Sequence, residues 1–216
     1  MSNGCIKASG IEENNDSSQE QAEEGFFYMY MCHFSQLRVQ LPLDDFTMGV
    51  LCLLNVAPTQ LHPNSWGYLH AFWLLYQSLY LKPSPKCFLY FYDTRPRDPI
   101  TWLSLVTWLG ISILDAFSQS FKHFKDDFFK VVVKQLGRPL FYNEEGSTKF
   151  PFSWTTSPRH YKGTKKEELL IDDKRVVEIL RGFSDKLPTK GLVRVYLSMH
   201  PIVDLEGILL YFVYLL

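Results

Sequence analysis

Between Trp66 and Tyr80 the side chains of Trp66, Leu69, Phe72, Trp73, Tyr76, Leu79 and Tyr80 recur at spacings of three and four, the period of one helix face. Leu74 and Leu75 fall off that stripe and are apolar too, so the helix has to be covered on more than one side. A segment of this kind cannot stand at the surface, and the rest of the fold must be built around it. The chain has the material to do so: 46% of its 216 residues are hydrophobic and 16% are aromatic, which predicts a core rich in rings.

The other segments read as a mixture of helices and strands. Asp44 is placed to cap a short helix that carries Phe46, Val50, Leu51 and Leu54 to about Asn55, with Leu43 packing on Met48 as a staple. Asn64 or Ser65 is positioned to cap the long helix, and Lys82-Pro83-Ser84-Pro85 breaks it. Cys87–Tyr92 then reads as a strand, Asp93–Pro99 as a turn and Ile100–Trp108 as the second strand of a hairpin. From Gly110 and Ser112, the positions Leu114, Phe117, Phe121, Phe124 and Phe128 predict a third long helix. Val131-Val132-Val133 reads as a strand, Phe150–Trp154 as a short extended piece, and Asp173 as the cap of a helix ending at Gly182. Leu192–Leu197 alternates like a last strand. The expected class is α+β, with a mainly helical N-terminal half, a β-hairpin and a small sheet.

Charge divides the chain unevenly. Residues 1–24 hold Lys7 against Glu12, Glu13, Asp16, Glu20, Glu23 and Glu24 and almost no large apolar side chain, the composition of a disordered acidic tail. The folded body is expected from Gly25 to about Gly207 as one domain, mildly basic once the tail is set apart. Cys5, Cys32, Cys52 and Cys87 form no C-x-x-C pair, so reduced thiols and an intracellular setting, nuclear or cytoplasmic, are expected, with no secretion signal. The closing run Ile208–Leu216 is apolar but far below the roughly 20 residues needed to span a bilayer, so a membrane partner is not expected.

Templates for catalysis fail on spacing. No P-loop is present. Gly110-Ile111-Ser112-Ile113-Leu114 lacks the second glycine of a nucleophile elbow, and Asp93-Thr94-Arg95 has arginine where the Asp-Thr-Gly loop of an aspartic protease needs glycine. Tyr92-Asp93 lacks the paired aspartates of a reverse transcriptase metal site. The acidic pairs Asp44-Asp45, Asp126-Asp127 and Asp172-Asp173 are explained by helix capping and solvation, although two-metal chemistry needs only three such groups in one place. His62 with Cys52 or His70 is the one metal combination two packed helices would permit, and a turn role for His62 is preferred. Neither a cofactor, a metal nor a small-molecule substrate is expected, and the chain reads as no enzyme. The most basic window holds Arg159, Lys162, Lys165 and Lys166 around His160 and Tyr161. With Lys122, Lys125, Lys130 and Lys134 it forms the candidate nucleic-acid-binding set.

Several segments together resemble a known family. These are Leu41-Pro42-Leu43 with Phe46, Gln60-Leu61-His62-Pro63-Asn64-Ser65-Trp66 with Ala71-Phe72, Phe88-Leu89-Tyr90-Phe91-Tyr92, Phe121-Lys122-His123-Phe124-Lys125-Asp126-Asp127-Phe128-Phe129-Lys130, and Phe150-Pro151-Phe152-Ser153-Trp154. In this order, over about three-quarters of the chain, they resemble the plant gypsy-type transposase and transposon-protein domain, a retrotransposon-derived family. The resemblance implies a globular region without an active site to carry over. Members continue into a charged, often coiled-coil tract, whereas this chain ends in Ile208–Leu216, which reads as an adventitious tail. The expectation is a non-catalytic domain of a degenerate retroelement product that works by protein association or self-association. Nucleic-acid binding is the alternative, and a carboxylate transposase the more distant one.

Overall fold

The computed structural model describes residues 24–97, 102–108, 110–162, 165–183 and 185–198. All of the expected acidic tail but Glu24, and the whole of the apolar end, lie outside them. Helix α1 (Met31–Ser35) follows strand β1 (Phe26–Tyr30); α2 (Asp45–Leu54), α3 (Pro63–Ser78) and α4 (Pro85–Tyr90) precede the hairpin of β2 (Tyr92–Arg97) and β3 (Trp102–Thr107). Strand β4 (Phe128–Val132), the single turn α5 (Arg138–Phe141), α6 (Ile171–Arg181) and α7 (Thr189–Tyr196) complete an α+β architecture. Among the described residues two antiparallel pairs make up the sheet structure: β1 with β4, Tyr28 opposite Lys130, and β2 with β3, Thr94 opposite Leu105.

Helix α3 is the centre, as its stripe predicts. Every residue from Pro63 to Tyr76 is buried except Asn64 and Trp73, and Leu74 and Leu75 are among the buried. Phe72, fully buried, lies 4.9–5.9 Å by ring centroid from Phe88, Phe91, Tyr92 and Tyr76, and Phe46 of α2 closes the mesh on Tyr76 and Phe88. Helix α7 packs along the other side, where Tyr196 stacks on His70 at 4.0 Å. The Asp44 cap is as expected: its carboxylate accepts from the Thr47 N–H and hydroxyl, both at 2.8 Å, and Leu43 and Met48 are both buried. Asn55 closes the helix in the left-handed region at φ 53°.

The cap of α3 differs from expectation. His62 fills it, its Nδ1 accepting from the Asn64 N–H at 3.2 Å. Asn64 and Ser65 are used elsewhere: Asn64 Oδ1 accepts from the Gln119 N–H and Ser65 Oγ from the Leu105 N–H. The helix stops at Ser78, so Tyr80 leaves the stripe and is exposed. Cys87–Tyr92 is not a strand through most of its length. Pro85 starts a helix and the Ser84 hydroxyl accepts from the Cys87 N–H at 3.2 Å, so the Pro-Ser-Pro breaker is also a helix start. The hairpin exists, displaced: residues 92–97, expected mostly as turn, form β2.

The expected third helix does not form. Residues 110–127 run irregularly across α3, and several of their backbone groups bond outside the segment. Phe117 N–H donates to the Tyr68 hydroxyl at 2.7 Å, Asp115 N–H to the Leu187 carbonyl at 3.0 Å, and Leu187 N–H to the Ile113 carbonyl at 2.9 Å. Phe117 lies against Gly67, where a Cβ would overlap its ring. The phenylalanines are core residues without the helix: Phe117 and Phe121 are buried and Phe124 is half-buried. Leu192–Leu197 is likewise helical, not a strand, because Leu192, Val193 and Val195 form the face that meets α3 while Arg194 points to solvent. Phe150–Trp154 is irregular. Asp173 stands in the first turn of α6, since Leu170 holds the cap position, and Gly182 ends that helix as expected.

Candidate functional site

The basic residues singled out in the sequence have different local surroundings. Lys125 lies 4.0 Å over the Trp102 ring, Lys130 lies 4.0 Å over the Phe26 ring, and Lys166 pairs with Glu178 at 2.9 Å. Lys162 borders a shallow depression with Asp93, Thr94, Arg95 and Trp108. Lys122, Lys134, Arg159 and Lys165 are exposed. Without the third helix, Lys122 and Lys125 sit in a turn while Lys130 belongs to β4. The loop that carries Arg159 is strapped to the scaffold: Arg159 N–H donates to the Leu54 carbonyl, and Thr94 and Tyr161 exchange backbone and hydroxyl bonds at 2.7–2.9 Å. Buried Gln60 grips the same loop, its Nε2 donating to the Thr155 carbonyl and its Oε1 accepting from the Thr155 N–H.

The pairing of β1 with β4 creates a feature the residues alone did not reveal. In that register Phe26, Tyr28, Phe128, Lys130 and Val132 occupy one face, and all five are exposed, Phe128 at 58%. The rings engage one another edge to face, Phe26 with Tyr28 at 5.6 Å and Tyr28 with Phe128 at 5.3 Å. On the opposite side Phe27, fully buried, packs on Phe141, Phe150 and Phe152. The exposed rings therefore stand on a rigid base.

A second feature is a cleft of about 600 Å³ bordered by α2, the residues leading into α4, and α6. It gathers Asp45, Asp172 and Asp173 with Lys82, Lys86 and Lys149, over apolar walls from Met48, Leu53, Pro83, Pro85, Leu170 and Val176. Three acids of the pairs set aside as helix caps thus line one depression. Lys149 lies 3.8 Å from Asp45. Among the described residues no group of three His, Cys, Asp or Glu side chains is arranged to hold a metal ion. Cys52 is exposed, His70 is buried, and His62 serves as the helix cap.

No helix among the described residues is long and apolar enough to cross a membrane. No family model, curated protein or solved structure matches this chain.

Proposed function

We propose that the chain is a non-catalytic association domain, of the retrotransposon-derived kind its resemblance implies, and that the β1–β4 face is its contact surface. The observation that carries this reading is the cluster of Phe26, Tyr28, Phe128 and Val132, exposed on one side of a strand pair whose other side carries the buried Phe27 and Met29. Phe129, on the opposite face of the pair, and Met31 are exposed as well and border a separate apolar depression with Phe34. Contiguous apolar area of this kind is rarely left to water, and aromatic rings on a fixed base bind at low entropic cost. The free thiols of Cys32, Cys52 and Cys87 support an intracellular setting.

Light scattering tests the reading on a second copy of the chain. The expected result is reversible association at protein concentrations on the order of tens of micromolar. Phe128→Asp should abolish it while leaving the melting midpoint within a degree or two, because that ring lies outside the core. A protein that stays monomeric at those concentrations counts against self-association.

The second reading, nucleic-acid binding, is favoured by Lys130, which places a cation beside the same rings, as a single strand requires. It predicts fluorescence anisotropy that rises with a single-stranded probe and collapses when ionic strength is raised. Rings already packed edge to face present little flat surface to a base, so association is the better supported of the two. No binding at low salt would remove the alternative.

A further inference from the structure

We propose that the open edge of β4 pairs antiparallel with β4 of a second copy, joining the two strand pairs into one continuous sheet in the order β1–β4–β4–β1. The inference rests on the self-association proposed above and says which part of the β1–β4 pair makes the contact. At one end of the pair the Met31 N–H donates to the Asp127 carbonyl at 3.0 Å, and at the other the Val133 N–H donates to the Gly25 carbonyl at 2.8 Å. Both bonds fit the register that sets Phe27 opposite Val131 and Met29 opposite Phe129. Bonded pairs alternate with unbonded ones in an antiparallel ladder. Phe129 and Val131 therefore turn their main-chain groups toward β1, while Phe128, Lys130 and Val132 turn theirs outward. Among the described residues no bond reaches those outward groups.

An exposed edge by itself is common, and water can satisfy it. The difference in β4 is that both of its faces are bare as well: Phe128 and Val132 on one and Phe129 on the other are exposed at 58%, 39% and 43%. Strand β1 packs against the turn Pro58–Gln60, whereas β4 packs chiefly on β1, so the pair has room to grow on the β4 side. Unpaired main-chain groups between two exposed apolar faces specify an extended strand as the occupant.

Strand β4 is complementary to itself. A two-fold pairing centred on Lys130 sets Phe128 opposite Val132 and Phe129 opposite Val131 of the copy, apolar against apolar. It also brings Asp126, exposed where the chain enters β4, toward Lys134, exposed where the copy leaves it, and the reverse. The cost is that Lys130 faces its own equivalent, since like charges directly opposite repel. That cost is reduced here, because the Lys130 ammonium lies 4.0 Å over the Phe26 ring of β1, drawn inward from the open edge. Side chains opposite one another in such a ladder share a face, so the pairing also joins the exposed rings of both copies on one side of the sheet.

Amide hydrogen exchange of the full chain, followed by NMR as the protein is concentrated from a few to a few hundred micromolar, tests the proposal. The Phe128, Lys130 and Val132 amides should exchange at least about ten-fold more slowly at the upper concentration. Val132→Pro removes an outward donor and no bond to β1, so light scattering should show association weakened at least about ten-fold with the melting midpoint little changed. Lys134→Glu should weaken association about three-fold, and Asp126→Lys added to the same chain should restore it. Should Val132→Pro fail to fold, the exchange rates and the charge reversal decide the matter. Association that leaves those amides unprotected, or that Val132→Pro leaves intact, would overturn the edge pairing and keep the ring face as the contact. Weakening by Lys134→Glu that Asp126→Lys does not restore would reject the two-fold register. A chain that stays monomeric overturns both this pairing and the self-association on which it rests.

Discussion

Replacing Phe72 with alanine is expected to destabilise the protein by about 3–5 kcal/mol, a large part of the stability of an ordinary domain. The ring is fully buried and touches four others, from α3, α4, the residue after α4, and β2. Truncation therefore removes transfer free energy and leaves a void lined by rigid rings, which cannot collapse to fill it. Tyr80→Ala is the matched control. Tyr80 belongs to the same stripe by spacing, but it lies beyond the end of α3, with φ 53°, and is 98% exposed. Its loss should change stability by no more than about 0.5 kcal/mol. Urea unfolding of both variants measures the contrast; a Phe72→Ala cost below about 1 kcal/mol would mean that α3 is not the centre of the fold.

That contrast marks where sequence reasoning succeeds and where it stops. The burial of α3 was legible because a covered helix must be apolar off its stripe, and Leu74 and Leu75 are. The Asp44 cap was legible because its partner, Thr47, lies three residues away. Aromatic periodicity misled further along: Phe117, Phe121 and Phe124 have helical spacing, but Tyr68 claims the Phe117 N–H and Leu187 claims that of Asp115. Local propensity loses when distant groups satisfy the backbone. At Leu192–Leu197 the opposite occurred, since β-branched alternation gave way to a helix that covers α3.

The candidate sites were less legible still. Each half of the aromatic face was visible, Phe26 to Tyr30 in one place and Phe128 to Val132 in another. Their register pairs residues about a hundred positions apart, and no local signal encodes it. The cleft brings Asp45 to Asp172 and Asp173 in the same way. The grouping of Lys122, Lys125 and Lys130 assumed a helix through them, and that helix is absent.

Acid should unfold this protein well before its carboxylates are protonated, and the cause is a pair of buried histidines. His33 is fully buried with no partner among the described residues for either ring nitrogen, 4.7 Å from the Trp66 ring and 5.5 Å from that of Tyr30. His70, 5% exposed, has an Nδ1 that is likewise unpartnered among those residues, and it stacks on Tyr196. Asp44, which lines the same depression as His70, is engaged by Thr47. Burial holds both imidazoles at about 3, with mutual repulsion adding to the effect at His33. In the unfolded chain both return to about 6.5. The folded state therefore refuses protons that the unfolded state accepts: the stability is whole above pH 6.5 and is lost progressively as pH falls toward 3. Each group costs up to about 1.4 kcal/mol per pH unit in that window, so the two together remove about 3 kcal/mol between about pH 6.5 and 5. Urea midpoints measured across that interval should fall steeply. His33→Phe, which keeps a ring beside Trp66 but binds no proton, should roughly halve the slope even if it changes stability at neutral pH. A protein equally stable at about pH 7 and pH 5 would show that these histidines find protons or partners when folded.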